Sequence, residues 1–140
     1  MSIIIRRAEE KDIPVLEELF LQFSDWPLQR EQTLRNIMKD PTSELLVAES
    51  EQEIVGLLHQ IFFLDPFHAG LNSHITSLFT KEVHRKKGIG TQLLKKAIEN
   101  AKQRNVVEVH VDTEEENASA IAFYQKHGFT KAGVMFETNP

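Results

Sequence analysis

The stretch from residue 73 to residue 113 constrains the fold more than any other part of the chain. "SHITSLFT" (73–80) is rich in β-branched and apolar residues and reads as a strand. Beyond a basic loop, Ile89, Leu93, Leu94, Ala97, Ile98 and Ala101 recur at helical spacing, with Lys95, Lys96, Glu99 and Lys102 on the opposite face. "VVEVHVDT" (106–113) is a second strand. A strand, a helix and a strand in that order close as a crossover between parallel strands. The chain is therefore expected to be an α/β protein.

The flanking segments fill in the order. "IIIRRA" (3–8) is a strand, and Asp12 is placed to cap a helix carrying Ile13, Leu16, Leu19, Phe20 and Phe23 on one face. Pro14 is tolerated in the first turn of that helix. "SDWP" (24–27) breaks it, and a second helix over residues 29–39 sets Leu34, Ile37 and Met38 inward before Pro41. "ELLVAES" and "EIVGLLHQIFFL" predict an antiparallel hairpin with a tight turn near residues 51–53, followed by a loop over 65–72. Asn117 caps a last helix that Gly128 stops, and "FTKAGVMFE" (129–137) predicts a final strand. The expected order is β-α-α-β-β-β-α-β-α-β, a mixed, mainly antiparallel sheet with a parallel pair. A chain of 140 residues suits one domain over residues 1–140.

Composition narrows the chemistry. The chain has no cysteine, which excludes disulfides, a thiolate nucleophile and a Cys-ligated zinc site. His59, His68 and His74 lack tight ligand spacing, so no metal is expected. The net charge of −5 argues against a nucleic-acid partner. The N-terminal apolar run is too short for a signal-peptide core, and no stretch approaches a membrane span. The expectation is a soluble cytoplasmic protein without a membrane partner.

Against that acidic background, "RKKGIG" (85–90) is a local basic loop opening into a helix. A helix N-terminus presents unpaired N–H groups and a partial positive charge. Glycine lets a phosphate approach that backbone, and Arg85, Lys86 and Lys87 add cations. The loop suits a diphosphate; the plainer alternative is a strand-to-helix turn with solvated lysines. The dinucleotide fingerprint fails because Leu93 stands where a third Gly or Ala belongs, and a Walker A loop is absent.

The loop resembles the Arg/Gln-x-x-Gly-x-Gly/Ala signature of the GNAT superfamily of acetyl-CoA-dependent N-acetyltransferases. That superfamily's second signature, Asn-x-x-Ala-x-x-Phe/Leu-Tyr-x-x-x-Gly-Phe, is matched by Asn117, Ala120, Phe123, Tyr124, Gly128 and Phe129. The resemblance covers nearly the whole chain, most weakly over residues 24–44. It implies acetyl-CoA as co-substrate, held where the parallel strands splay apart. Leu78, Phe79 and Thr80 would lie along the pantetheine arm. The backbone of Arg85, Lys86, Lys87, Gly88, Ile89, Gly90 and Thr91 would hold the pyrophosphate, and Asn117 would reach the arm as well as capping its helix. Tyr124 would lie near the sulfur and protonate the leaving thiolate.

Many relatives carry an acidic residue on the first splayed strand, where this chain has Thr76 and Ser77. Asp112 and His110, two residues apart on one strand face, are the candidate bases, with a water relay as the alternative. The acceptor pocket is expected among Trp26, Phe63 and His68, with Phe23, Leu28, Phe62 and Phe67 nearby and Asp25, Glu31 and Asp65 as partners for a cationic amine. The implied function is acetyl transfer to a primary amine of a small molecule or peptide. Two other readings stand: a catalytically silent CoA-binding sensor and an interaction domain. Many relatives also end in one further strand that this sequence does not supply. That leads to the expectation of a homodimer through residues 106–113 or 129–136.

Overall fold

The computed structural model describes residues 2–24, 29–85 and 87–140. The chain divides into two compact units, Met1–His110 and Val111–Pro140. The first unit is built on a sheet in the order β1 (Ile3–Arg7), β2 (Ser43–Ser50), β3 (Glu53–Asp65), β4 (Gly70–Thr80) and β5 (Glu108–Val111). The first four strands pair antiparallel. β5 lies beside β4 as the parallel partner, joined through Val107 N–H to the Leu71 carbonyl at 2.8 Å. This is the mixed sheet expected from the crossover.

Helices cover both faces of β2 and β3, so those strands are apolar on both sides rather than alternating. On one face, Ile13, Leu16 and Leu19 of α1 (Ile13–Phe23) and Leu34 of α2 (Glu31–Lys39) pack on Leu45, Val47, Ile54 and Leu57. On the other lies α3 (Ile89–Gln103), which buries Ile89, Leu93, Leu94, Ala97 and Ala101, the spacing expected of it. Two amides, one buried and one half-buried, pin α3 to the sheet. Gln60 donates to the Ala97 carbonyl at 3.0 Å and to Glu44 at 2.9 Å, and Asn100 donates to both Glu44 oxygens at 3.0 Å. None of the described helices is long and apolar enough to cross a membrane.

Several local expectations change. Asp12 does not cap α1; its carboxylate accepts from Glu9 N–H at 2.8 Å and pairs with both Arg6 nitrogens at 2.8 and 2.9 Å. The two-point guanidinium bond outweighs a single cap. The turn between β2 and β3 is two residues, Glu51 and Gln52, both at positive φ (51° and 68°), which matches the strand twist but without the usual Asn-Gly. The loop expected over residues 65–72 is shorter, because β4 begins at Gly70 paired with Asp65. Asp65 closes that turn by accepting from Phe67 N–H at 3.0 Å.

The second unit contains α4 (Ala118–Lys126), as expected. The strand expected over residues 129–136 does not form. Among the described residues this stretch has no ladder partner, and Val134, Met135 and Phe136 are 81%, 56% and 89% exposed. A strand exists only within a ladder, and apolar composition alone does not supply one.

Candidate functional site

The basic loop follows β4 through a 3-10 turn at Glu82–His84. Gly88 is the residue before α3 and has φ +78°, the left-handed region that favours glycine. A Cβ there would meet nothing within 4 Å, so its glycine answers to backbone conformation and open space rather than packing. As the N-cap residue, Gly88 offers α3 no side-chain cap. Arg85 and Lys87 are exposed. The Arg85 guanidinium lies 5.8 Å from the Phe23 ring centre, and its Nε donates to the Thr80 carbonyl at 3.4 Å. Ile89 is buried, which anchors the first turn, while Gly90 and Thr91 are half-buried. Lys86 lies outside the described residues.

What seats this helix end is Gly56, which sequence reasoning passed over. A Cβ on Gly56 would fall 2.9 Å from the Phe79 carbonyl oxygen and 3.2 Å from side-chain carbons of Ile89 and Leu93. Only a residue without a side chain lets β3, β4 and the first turn of α3 approach so closely. An isolated glycine inside a strand pattern is the signal that could have found it.

β4 carries a bulge at Thr76. His59 pairs with Ser77 and Gln60 with Ile75, leaving Thr76 as the extra residue. The His59 ring Nδ1 meets the Thr76 hydroxyl at 2.5 Å, and its Nε2 faces Ser43 Oγ at 3.4 Å. Burial pulls the His59 imidazole below its ordinary pKa, with the Asp40 charge acting weakly the other way. Beyond the bulge, Leu78, Phe79 and Thr80 lie opposite Leu58, Leu57 and Gly56, each half-buried. Phe79 stacks on Phe23 with ring centres 4.4 Å apart and meets Phe20 edge-on at 5.6 Å.

Within the second unit, Asn117 caps α4, its side-chain oxygen accepting from Ala120 N–H at 3.1 Å. The other end explains the Tyr-x-x-x-Gly-Phe spacing. Gly128, at φ +91°, donates to the Gln125 carbonyl, and Phe129 donates to that of Tyr124. That pair of bonds is a Schellman stop, and its usual apolar contact is made by the Tyr124 and Phe129 rings at 5.6 Å. Burial, then the charge of Asp112, pushes the Tyr124 phenol up to about 12. β5 ends at Val111, so the alternation argument linking His110 to Asp112 stops one residue short of Asp112.

Of the expected acceptor residues, Phe63 is 37% exposed on β3 and His68 is half-buried in the turn before β4. Asp25, Trp26 and Leu28 lie outside the described residues. His68 Nδ1 bonds Asp65, whose carboxylate lifts the imidazole above its ordinary pKa, while the same bond holds Asp65 below the usual carboxylate value. His68 Nε2 lies 3.2 Å from Glu108, and His110 Nε2 lies 3.1 Å from the other Glu108 oxygen. Glu108 was not singled out from the sequence, since only the sheet brings it to His68.

The Acetyltransferase (GNAT) family model matches residues 12–129, and the chain belongs to that acetyltransferase family. N-acetyltransferase 8 of Homo sapiens is 32% identical over 125 residues, covering 84% of this chain and 55% of that protein. The chain thus spans about half the length of the curated relatives it matches. Among solved structures, a transcriptional regulator from Bacillus halodurans superposes with TM-score 0.89 at 27% identity, covering 99% of both chains. An aminoglycoside acetyltransferase from an uncultured soil metagenomic sample superposes with TM-score 0.84 at 19% identity, covering 99% of this chain and 96% of that one.

Proposed function

We propose that residues 1–140 form one acetyltransferase domain that moves an acetyl group from acetyl-CoA to a primary amine of a small molecule or peptide. The observation that carries this reading is Gly88, left-handed and open, which follows exposed Arg85 and Lys87 and leads into α3 as an N-cap residue without a side chain. A diphosphate fits such a terminus: it needs bare N–H donors, room and positive charge. Residues 85–91 would take the pyrophosphate, the end of β4 at Leu78, Phe79 and Thr80 the pantetheine arm, and Asn117 a second point on that arm.

The amine nitrogen attacks the thioester carbonyl. A C–N bond forms, the C–S bond breaks, and the departing thiolate takes a proton, which Tyr124 supplies in this reading. The amine gives up its proton to Asp112, to His110 or to water. A protein of similar fold is an aminoglycoside acetyltransferase, which puts aminoglycosides among the acceptors to be tried. The transcriptional regulator of similar fold favours one alternative, a CoA-binding sensor without turnover.

Thiol release on incubation with acetyl-CoA and a panel of polyamines, aminoglycosides, amino acids and peptide N-termini separates the two. Release with any acceptor supports the enzyme, and acetyl-CoA binding without release across the panel supports the sensor. Gly88→Glu and Gly90→Glu are expected to abolish acetyl-CoA binding by calorimetry, because each adds a repelling charge at the helix end. Gly133→Glu, at an exposed glycine with nothing within 4 Å of its would-be Cβ, should bind as wild type. Undiminished binding in both loop variants would sink the site assignment.

A further inference from the structure

Where the β3–β4 turn meets β5, the sheet gathers three side chains of metal-ligating type. His68, Glu108 and His110 offer one ligand atom each, all within 4.8 Å of one another. Glu108 uses one oxygen toward each imidazole, at 3.2 and 3.1 Å. A bound ion would draw the three ligand atoms closer, toward the edge of about 3.4 Å of a tetrahedron with metal–ligand bonds of about 2.1 Å.

The surroundings fix the direction of the lone pairs. Asp65 can only accept when ionised, so the hydrogen in its bond with His68 belongs to Nδ1. In a neutral imidazole that leaves Nε2 as an acceptor, and it faces the Glu108 carboxylate, a second acceptor. A metal ion there would take both lone pairs; with none bound, a second ring proton on Nε2 makes the same contact as an ion pair. Asp65 is itself held: Asn72, fully buried, donates to it at 3.1 Å, and Phe67 N–H donates to its other oxygen at 3.0 Å. A carboxylate on the far nitrogen of a ligating histidine, itself braced by further hydrogen bonds, is the usual support of a metal-bound imidazole.

We propose that His68, Glu108 and His110 form a binding site for a divalent first-row transition metal, with zinc the best match to two imidazoles and a carboxylate. Three protein ligands leave a fourth position for water or a small ligand. The site would clamp the β3–β4 turn to the first residues of β5, a junction whose backbone hydrogen bond is Val107 to Leu71. The expectation that the chain holds no metal rested on spacing along the sequence, and the sheet gathers ligands that spacing keeps apart. With the metal bound, His110 Nε2 would be taken up as a ligand, leaving Asp112 or water as the candidate base.

The test is calorimetric titration of chelator-stripped protein with zinc chloride, alongside cobalt(II) substitution read by visible absorption. One equivalent of zinc is expected, with a higher melting temperature when bound. His68→Ala, Glu108→Gln and His110→Ala should each weaken binding by about a hundredfold or more. Asp65→Asn should weaken it about ten- to a hundredfold, acting through the imidazole it orients. His127→Ala should change nothing. Absence of a stoichiometric site in the wild type overturns the proposal, as does binding that survives His68→Ala and Glu108→Gln. Should a variant lose its fold, the wild-type cobalt spectrum decides. Intense bands of a four-coordinate ion support the site, and the weak spectrum of the hydrated ion overturns it.

Discussion

Tyr124 is the chain's single tyrosine, which makes its phenol directly measurable. Ultraviolet titration should find a midpoint near 12 in the folded protein and about 10 in denaturant. The sign follows: because the folded value is raised, the associated stability is intact below about pH 10 and is lost as pH rises toward 12. A phenol that stays protonated at neutral pH suits a proton donor. Tyr124→Phe should then lower turnover about a hundredfold with acetyl-CoA affinity retained, measured where chemistry limits the rate. Unchanged turnover would leave the tyrosine a packing residue. Asp12 behaves in the opposite sense. Burial pushes its carboxyl up, but the bonds from Arg6 and from Glu9 N–H prevail and hold it below the usual value. Its contribution is therefore present above the ordinary aspartate range and lost as pH falls through its depressed value. Asp12→Ala should cost about 1.5–3 kcal/mol at neutral pH, the range for charged hydrogen bonds, with a smaller cost in acid. An equal loss at both pH values, by chemical denaturation, would contradict the pairing.

Among the elements, β3 decides where α3 begins. Gly56→Val should destabilise by about 1–3 kcal/mol, since a side chain there meets backbone as well as Ile89 and Leu93. It should also weaken acetyl-CoA binding by displacing the first turn; a wild-type melting temperature and affinity together would refute this. The helices were legible in the sequence because their apolar spacing is local: α3 buries five of the six residues its periodicity selects. Strand limits were less so. β4 starts at Gly70 because Asp65 closes a short turn, and residues 129–136 form no strand because ladder partners are not written in the segment itself. The same distinction runs through the site. Gly88, Asn117 and Gly128 announce themselves by short-range backbone requirements. Gly56, Thr76 and Glu108 act through neighbours that only the assembled sheet brings to them.

For the whole molecule, β5 is one of the two edge strands of the sheet, with β1 the other. Unpaired edges invite a second chain, and the expected outcome is a homodimer that buries residues from 106–113 or 129–136. Light scattering at micromolar concentration checks it, and a monomeric mass would defeat it. The sheet holds one further lesson in Thr76. Before it, Ile75 lies opposite Gln60, on the side of α3; after it, Phe79 lies opposite Leu57, on the side of α1 and α2. Both positions are odd-numbered, yet they serve opposite layers. Thr76 acts on the strand as an inserted letter acts on a reading frame: everything downstream changes phase. Deleting it would leave composition almost untouched while turning Phe79 away from Phe23 and Phe20. Any alignment that places a one-residue gap within β4 would likewise exchange the two faces along the rest of the strand.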